Sequence, residues 1–171
     1  MPEAWLSGPI DGIDPYLMPA AHALVQVRDD VVSALMDLAP GELGVGPDGA
    51  ASVAFHAAHL AGSVDRLFTY ARGESLSPAQ MQGLKAEKDG RLADREALIA
   101  LVRDAVARAL DQLRATPRQS LLDERKVGRA GLPSNVLGLL FHAAEHAQRH
   151  AGQIVTTAKI VKARAALSAG L

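Results

Sequence analysis

The chain has 171 residues, 49% of them hydrophobic, and a formal net charge of −1. This length and apolar content exclude disorder and predict a single domain that spans residues 1–171. Acidic and basic residues are interspersed, so the charge offers no binding surface for nucleic acid or an anionic membrane, and the absence of cysteine excludes disulfides, thiolate metal sites and a cysteine nucleophile.

The start of the chain, MPEAWLSGPIDG, lacks the basic residues and the apolar run of a signal peptide. No apolar stretch of the sequence approaches the roughly 18 residues that a membrane span requires. We therefore expect a soluble, cytoplasmic protein with no membrane partner.

The first two predicted helices each carry an apolar stripe. The first follows Asp14 and Pro15, because an acidic cap and an early proline suit a helix start, and it ends at Pro40. The second begins at the N-cap Ser52 and ends at the C-cap Gly73. Apolar residues recur at helical spacing in both: Leu17, Ala21, Leu24, Val31, Leu35 and Leu38 in the first, and Val53, Phe55, Leu60, Val64, Leu67 and Phe68 in the second.

The stretch between the second and third predicted helices is more polar. Ser77 and Pro78 predict a short extra helix that ends at Leu84. The segment Lys85–Arg91 is rich in charged residues, and we expect it to be exposed to solvent.

Two further long helices complete the pattern. The third begins near Asp94 and stops at Pro117. A long connection over residues 118–133 follows, with a brief hairpin predicted around residues 127–132. Ser134 is expected to cap the fourth helix. Four long helices with one long crossover between the third and the fourth predict an all-α four-helix bundle.

Five of the six histidines lie in two short windows of the predicted helices. Three are spaced by four residues on the fourth helix, and two are spaced by three on the second: His142, His146 and His150, and His56 and His59. Four residues make one helical turn plus about 40°, so an i, i+4 pair points two ring nitrogens at one ion. Imidazole is the commonest metal ligand among side chains, and metal sites in bundles form between facing helices. The pattern predicts that His146 and His150 bind a divalent metal together with His59.

The other histidines are weaker candidates for ligands. His142 lies about 80° around the helix from His150, so we place it beside the site and not among the ligands. We interpret His56 as a buried, hydrogen-bonded residue that also lines the cavity. The isolated His22 is interpreted as an ordinary structural residue.

Two other classes of metal site are excluded. The segment from His142 to His146 matches the inverted zinc-protease pattern H-x-x-E-H, but that site needs a further carboxylate downstream, and no Asp or Glu follows Glu145. A di-iron carboxylate bundle needs a Glu-x-x-His motif on each of two helices. No glutamate in this chain has a histidine three residues later.

The motif from His146 to Ile154, HAQRHAGQI, resembles the H-x-x-x-H-R-G-Q-[IL] motif of the DinB/YfiT-like superfamily of metal-binding four-helix bundles. The segment that starts at His59, HLA, resembles the single histidine of the second helix in that family. Helix order and the long third crossover agree as well, so the resemblance covers nearly the whole chain. Ala151 departs from the family pattern, which usually has arginine there, and Arg149 points elsewhere on the helix.

By position, the resemblance implies His59, His146 and His150 as a metal triad. It implies that Gly152 permits close helix packing and that Gln153 lies near the ligands, where helical spacing also places His56 and His142. The family binds a divalent ion, commonly nickel or zinc, and iron also suits three histidines. Several branches use low-molecular-weight thiols such as mycothiol, bacillithiol or glutathione as co-substrates of transferases or isomerases, and homodimers are frequent.

Three functions are compatible with these residues. The first is a metalloenzyme that transfers or isomerises a small molecule with an external thiol, and the second is a metal-dependent hydrolase. Glu145 is a conceivable base for the hydrolase, but it lies about 100° around the helix from His146, so we expect it to face solvent or a neighbouring helix. The third is a non-catalytic bundle that acts through self-association.

Overall fold

The computed structural model describes residues 3–88 and 94–169. Five α-helices lie within these residues: α1 (Met18–Met36), α2 (Val53–Ala71), α3 (Pro78–Lys88), α4 (Arg95–Ala115) and α5 (Val136–Ala169). Two short strands, β1 (Glu124–Val127) and β2 (Leu132–Asn135), precede α5. The all-α four-helix bundle predicted from the sequence is confirmed, with α3 as an addition to its four long helices.

The bundle is formed by α1, α2, α4 and α5, because α1 and α2 each pack against both α4 and α5. The apolar stripes of these helices meet in one buried core. Its largest fully buried side chains are leucines, one isoleucine and valines: Leu17, Leu24, Leu35, Leu38, Leu43, Leu60, Leu98, Leu113, Leu140, Ile154, Val27 and Val31. Burial of such side chains removes apolar surface from water and is the main favourable contribution to folding.

The helix starts agree with the sequence in two cases and differ in two. Ser52 Oγ accepts from the Phe55 amide, which confirms the predicted N-cap, and Asp94 Oδ1 accepts from the Ala97 amide, which confirms the helix start predicted near Asp94. The predicted cap Ser134 lies instead in β2, and Asn135 Oδ1 accepts from the amide of Gly138, at the start of α5. The first helix begins at Met18, because residues 15–17 form a turn in which Leu17 donates to the carbonyl of Asp14.

The connection before α5 contains the predicted hairpin. Strands β1 and β2 pair antiparallel, with Val127 opposite Leu132. Arg125 in β1 donates from Nε to the carbonyl of Ala71, which ties the hairpin to the end of α2. Within the described residues, no helix combines the length and apolar character needed to cross a membrane.

Helix α3 lies on the outer side of α2. Its residue Gln80 donates from Nε2 to Asp65 Oδ2 and Thr69 Oγ1 of α2, both at 2.7 Å. The helix continues past the predicted end at Leu84, and its last turn contains the buried residue Glu87. The prediction of a solvent-exposed segment over residues 85–91 is therefore wrong at Glu87; residues 89–91 lie outside the described residues.

Candidate metal centre

Three imidazoles converge where α2 packs against α5. His59 comes from α2, and His146 and His150 lie one turn apart on α5. Each offers one ring nitrogen, and these three nitrogens all lie within 4.8 Å of one another. The Nε2 atoms of His59 and His146 are 3.4 Å apart. The ring centroids of His146 and His150 are separated by 4.6 Å. The structure therefore brings together the three residues that the sequence predicts as metal ligands.

His56 lies directly beside this group. It precedes His59 by one turn of α2, its side chain is buried, and its Nδ1 lies 3.0 Å from Nδ1 of His150. One of these two nitrogens carries the proton and donates it to the other. The hydrogen bond occupies Nδ1 of His150 and leaves its Nε2 free of this contact.

Two other residues predicted to surround the ligands lie further out. The side chain of His142 is 51% exposed, and its Nδ1 lies 3.3 Å from Oε2 of Glu145. Its ring centroid is 5.7 Å from that of His146, so it borders the group. Gln153 is exposed and lines an open groove with His56, on another side of the cluster from His142.

Arg149, Ala151 and Gly152 flank His150 on α5, and Ala151 is the position at which this chain departs from the family motif. Ala151 is buried in the core, so an arginine at this position would require a different local arrangement. Arg149 points towards Glu145, to which Nε donates at 2.7 Å, and its Nη2 lies 3.3 Å from Nδ1 of His146. A Cβ on Gly152 would meet nothing within 4 Å, so the expectation that this glycine permits close helix packing is wrong.

A buried ion pair, absent from the sequence-based expectations, adjoins His59. Glu87 of α3 accepts from Nδ1 of His59 through Oε2, at 2.9 Å. Arg66 of α2 donates from Nη1 to Oε1 of Glu87 at 2.5 Å and from Nη2 to Oε2 at 3.2 Å. Two signals in the sequence indicate a close polar contact here: an arginine on the buried face of α2, and Gly62 in the middle of the same helix.

The environment lowers the pKa of three of these histidines. Burial is the largest cause of the lowered pKa of His150, to about 4, followed by repulsion from His146, His59, His56 and Arg149. Burial also lowers the pKa of His146 and of His56, and repulsion from His59 adds to both. These three rings are therefore neutral near pH 7, which is the state that ligates metal.

A cavity of about 300 Å³ opens beside His59 and His146. Besides these two histidines, both apolar and polar residues line it: Leu67, Tyr70, Leu76 and Leu84, and Ser63, Arg66 and His142. A separate apolar cavity of about 370 Å³ lies between α2, α3 and α4, and the Arg66–Glu87 pair also lines it. Of these two cavities, the one of about 300 Å³ is lined by His59 and His146, and the other is lined by none of the three converging histidines.

Comparison with known proteins yields a family and a fold. The family model for the DinB superfamily matches residues 23–154. Among solved structures, the chain is similar to YfiT from Bacillus subtilis, described as a probable metal-dependent hydrolase with an unusual four-helix bundle topology. The identity is 17%, the match covers 91% of this chain and 93% of that one, and the TM-score is 0.71. At this identity the likeness establishes the fold alone. No curated protein matches the chain.

Proposed function

The chain belongs to the DinB superfamily, and from this premise we propose that it is a divalent-metal-dependent enzyme acting on a small molecule. The ion would be held by His59, His146 and His150. The observation that carries the proposal is the convergence of three ring nitrogens, from two packed helices, within 4.8 Å of one another.

The donor set suits a divalent ion. Neutral imidazoles bind zinc, nickel and iron, and three of them leave a coordination position open. Because burial keeps the pKa of His150 at about 4, no proton has to be displaced from this ring near pH 7. We propose nickel or zinc, the ions that the resemblance to the DinB/YfiT-like superfamily implies, with iron as the alternative, because three neutral imidazoles suit all three metals.

The open position of such a site supplies Lewis-acid chemistry to a bound group. The chain's own residues shape the space around it: His59 and His146 line the 300 Å³ cavity together with the apolar residues Leu67, Tyr70 and Leu84. A cavity of this size and character accommodates a small organic molecule with an apolar portion.

We propose a low-molecular-weight thiol as co-substrate for transfer or isomerisation. The chain has no cysteine, so any sulfur nucleophile would have to come from a second molecule. The cavity beside His59 also presents polar groups, Ser63 and Arg66, that would position a polar co-substrate.

Hydrolysis is the second candidate reaction, and the description of the structural relative as a probable metal-dependent hydrolase favours it. Glu145 is a weak candidate for its base. Its carboxylate accepts from Arg149 and lies 3.3 Å from Nδ1 of His142, and its side chain is 40% exposed. Both contacts engage this carboxylate with neighbouring side chains on α5 and not with the three converging nitrogens.

The first experiment measures metal content after purification by elemental analysis. We expect one divalent ion per chain in the wild type, its loss in His146→Ala, and its retention in the control His22→Ala. His22 is a matched control because its ring contacts only the carbonyl of Gly8, through Nε2 at 2.8 Å, among the hydrogen bonds of the described residues. Equal metal content in all three proteins would contradict the site.

The second experiment screens the metal-loaded protein with an electrophile in the presence and absence of a thiol, and with esters and amides. Turnover that requires both thiol and metal supports transfer, and turnover in the absence of thiol supports hydrolysis. Tight metal binding without turnover in either screen would instead favour the non-catalytic bundle.

A further inference from the structure

The contact between Glu87 and His59 links helix α3 to the group of three histidines. In this contact His59 comes from α2 and Glu87 comes from α3. The side chain of Glu87 is only 7% exposed. A carboxylate is almost never buried unless it is paired, and here Arg66 supplies the pairing charge through two N–H groups. The position of the carboxylate is thus fixed from the side of α2.

One surface of α2 is built to receive this carboxylate. His59, Gly62, Ser63 and Arg66 follow one another at intervals of three, one and three residues, so they share the side that faces α3. A Cβ on Gly62 would overlap with Oε1 of Glu87 and lie 2.7 Å from Nη1 of Arg66. A Cβ at this position would therefore force the carboxylate away from the place where it contacts both Arg66 and His59.

The hydrogen bonds define which nitrogen of His59 carries the proton. An ionised carboxylate only accepts, so the contact at 2.9 Å requires the proton on Nδ1. Ser63 Oγ accepts from Nη2 of Arg66 at 3.2 Å and lies 3.3 Å from Nε2 of His59, to which its hydroxyl can donate. Both contacts favour the same tautomer, with a lone pair on Nε2.

That lone pair belongs to the nitrogen that faces the cluster, since Nε2 of His59 lies 3.4 Å from Nε2 of His146. We propose that Glu87, held by Arg66 and admitted by Gly62, is a positioning residue that fixes His59 as its Nδ1–H tautomer and thereby strengthens divalent-metal binding. The metal part of this inference rests on the proposed function. Carboxylates that orient metal-ligating histidines in this way typically contribute 10- to 100-fold in affinity.

The first readout is the tautomer of His59 in the metal-free protein, measured at pH 8 by long-range ¹H–¹⁵N NMR of the histidine rings. We expect the Nδ1–H form in the wild type and a shift towards the Nε2–H form in Glu87→Ala. Gly62→Ala should shift it too, because the added Cβ displaces the carboxylate without removing it. The control Gly83→Ala, an exposed glycine of α3 whose Cβ would meet nothing, should behave as the wild type.

The second readout is the dissociation constant of Ni²⁺, from competition with a chelator. Glu87→Ala and Gly62→Ala should weaken binding about 10- to 100-fold, and Gly83→Ala should not change it. Because Glu87→Ala leaves Arg66 buried without its partner and risks unfolding, the double variant Arg66→Met/Glu87→Leu removes both charges together. It should stay folded, as judged by circular dichroism, and show the same weakened binding.

The outcomes separate this inference from the proposed function. An unchanged tautomer in both Glu87→Ala and Gly62→Ala would overturn it, and so would a changed tautomer with unchanged Ni²⁺ affinity, which would make Glu87 a structural ion-pair partner. If the wild type bound no divalent ion, the proposed function and the metal part would both fail, while the NMR result would still decide whether Glu87 sets the tautomer.

Discussion

Acidification should destabilise the metal-free protein through His150. The pKa of this residue is lowered from 6.5 to about 4, chiefly by burial. Above pH 6.5 the ring is neutral in the folded and unfolded states, so it has no effect on the pH dependence. As the pH falls below 6.5, the unfolded state takes up a proton that the folded state excludes, and the free energy of unfolding decreases until about pH 4.

The size of this effect follows from the shift. One pKa unit corresponds to about 1.4 kcal/mol, so the full shift of His150 sets an upper limit of about 3 kcal/mol. The ring is only half-buried, and solvent screens part of its repulsion from the neighbouring histidines, so we expect about 1–2 kcal/mol. His146 and His56 also have a lowered pKa, so the wild type should lose more than His150 alone contributes.

The assay is urea-induced unfolding of metal-free wild type and His150→Gln, each at pH 7.5 and pH 4.5. For each protein, only the difference in the free energy of unfolding between the two pH values is compared, so a difference in absolute stability between variant and wild type does not enter. Carboxylates titrate in both proteins and cancel in that comparison. The wild type should lose about 1–2 kcal/mol more than the variant on acidification. Identical losses in the two proteins would refute the reasoning that burial keeps this ring neutral.

Three further predictions concern metal retention and stability. After dialysis against metal-free buffer, elemental analysis should find less bound metal at pH 4 than at pH 8, because ligating rings must be neutral; equal content would argue against an all-histidine site. Gly152→Ala should raise the free energy of unfolding by about 0.5–1 kcal/mol, because residue 152 is an exposed position in the middle of helix α5 and a Cβ there meets open space. A lower free energy of unfolding in chemical denaturation would contradict this placement. Ser52→Ala should lower the same quantity by about 1 kcal/mol, because the Phe55 amide loses its acceptor; replacement of Ser52 by Asp should preserve it.

The histidines show how far spacing along a helix constrains a site. The i, i+4 relation of His146 and His150 requires both rings to lie near one line along α5, and a single helix turn brings them within reach of one ion. The same relation holds between His142 and His146, yet the ring of His142 is half exposed and paired with Glu145. The drift of about 40° per four residues turns the third ring away from the interface with α2.

The sequence by itself determined the parts of this protein that depend on neighbours along the chain. Apolar periodicity located the long helices, Ser52 and Asp94 marked two of their starts, and histidine spacing selected the residues that converge. Local hydrogen bonds and helical geometry extend over only a few residues, so a single sequence contains them directly.

Only the tertiary structure decided the parts that depend on contacts between separate segments. Glu87 lies in a charged stretch that favours exposure, and it is buried because Arg66 and His59, 21 and 28 residues away in sequence, surround its carboxylate. Gly62 has no local role as a helix breaker; it leaves the space that this carboxylate occupies. Burial of a charge is favourable only when an opposite charge and hydrogen-bond partners meet it, and the packing of α3 on α2 is what brings them together.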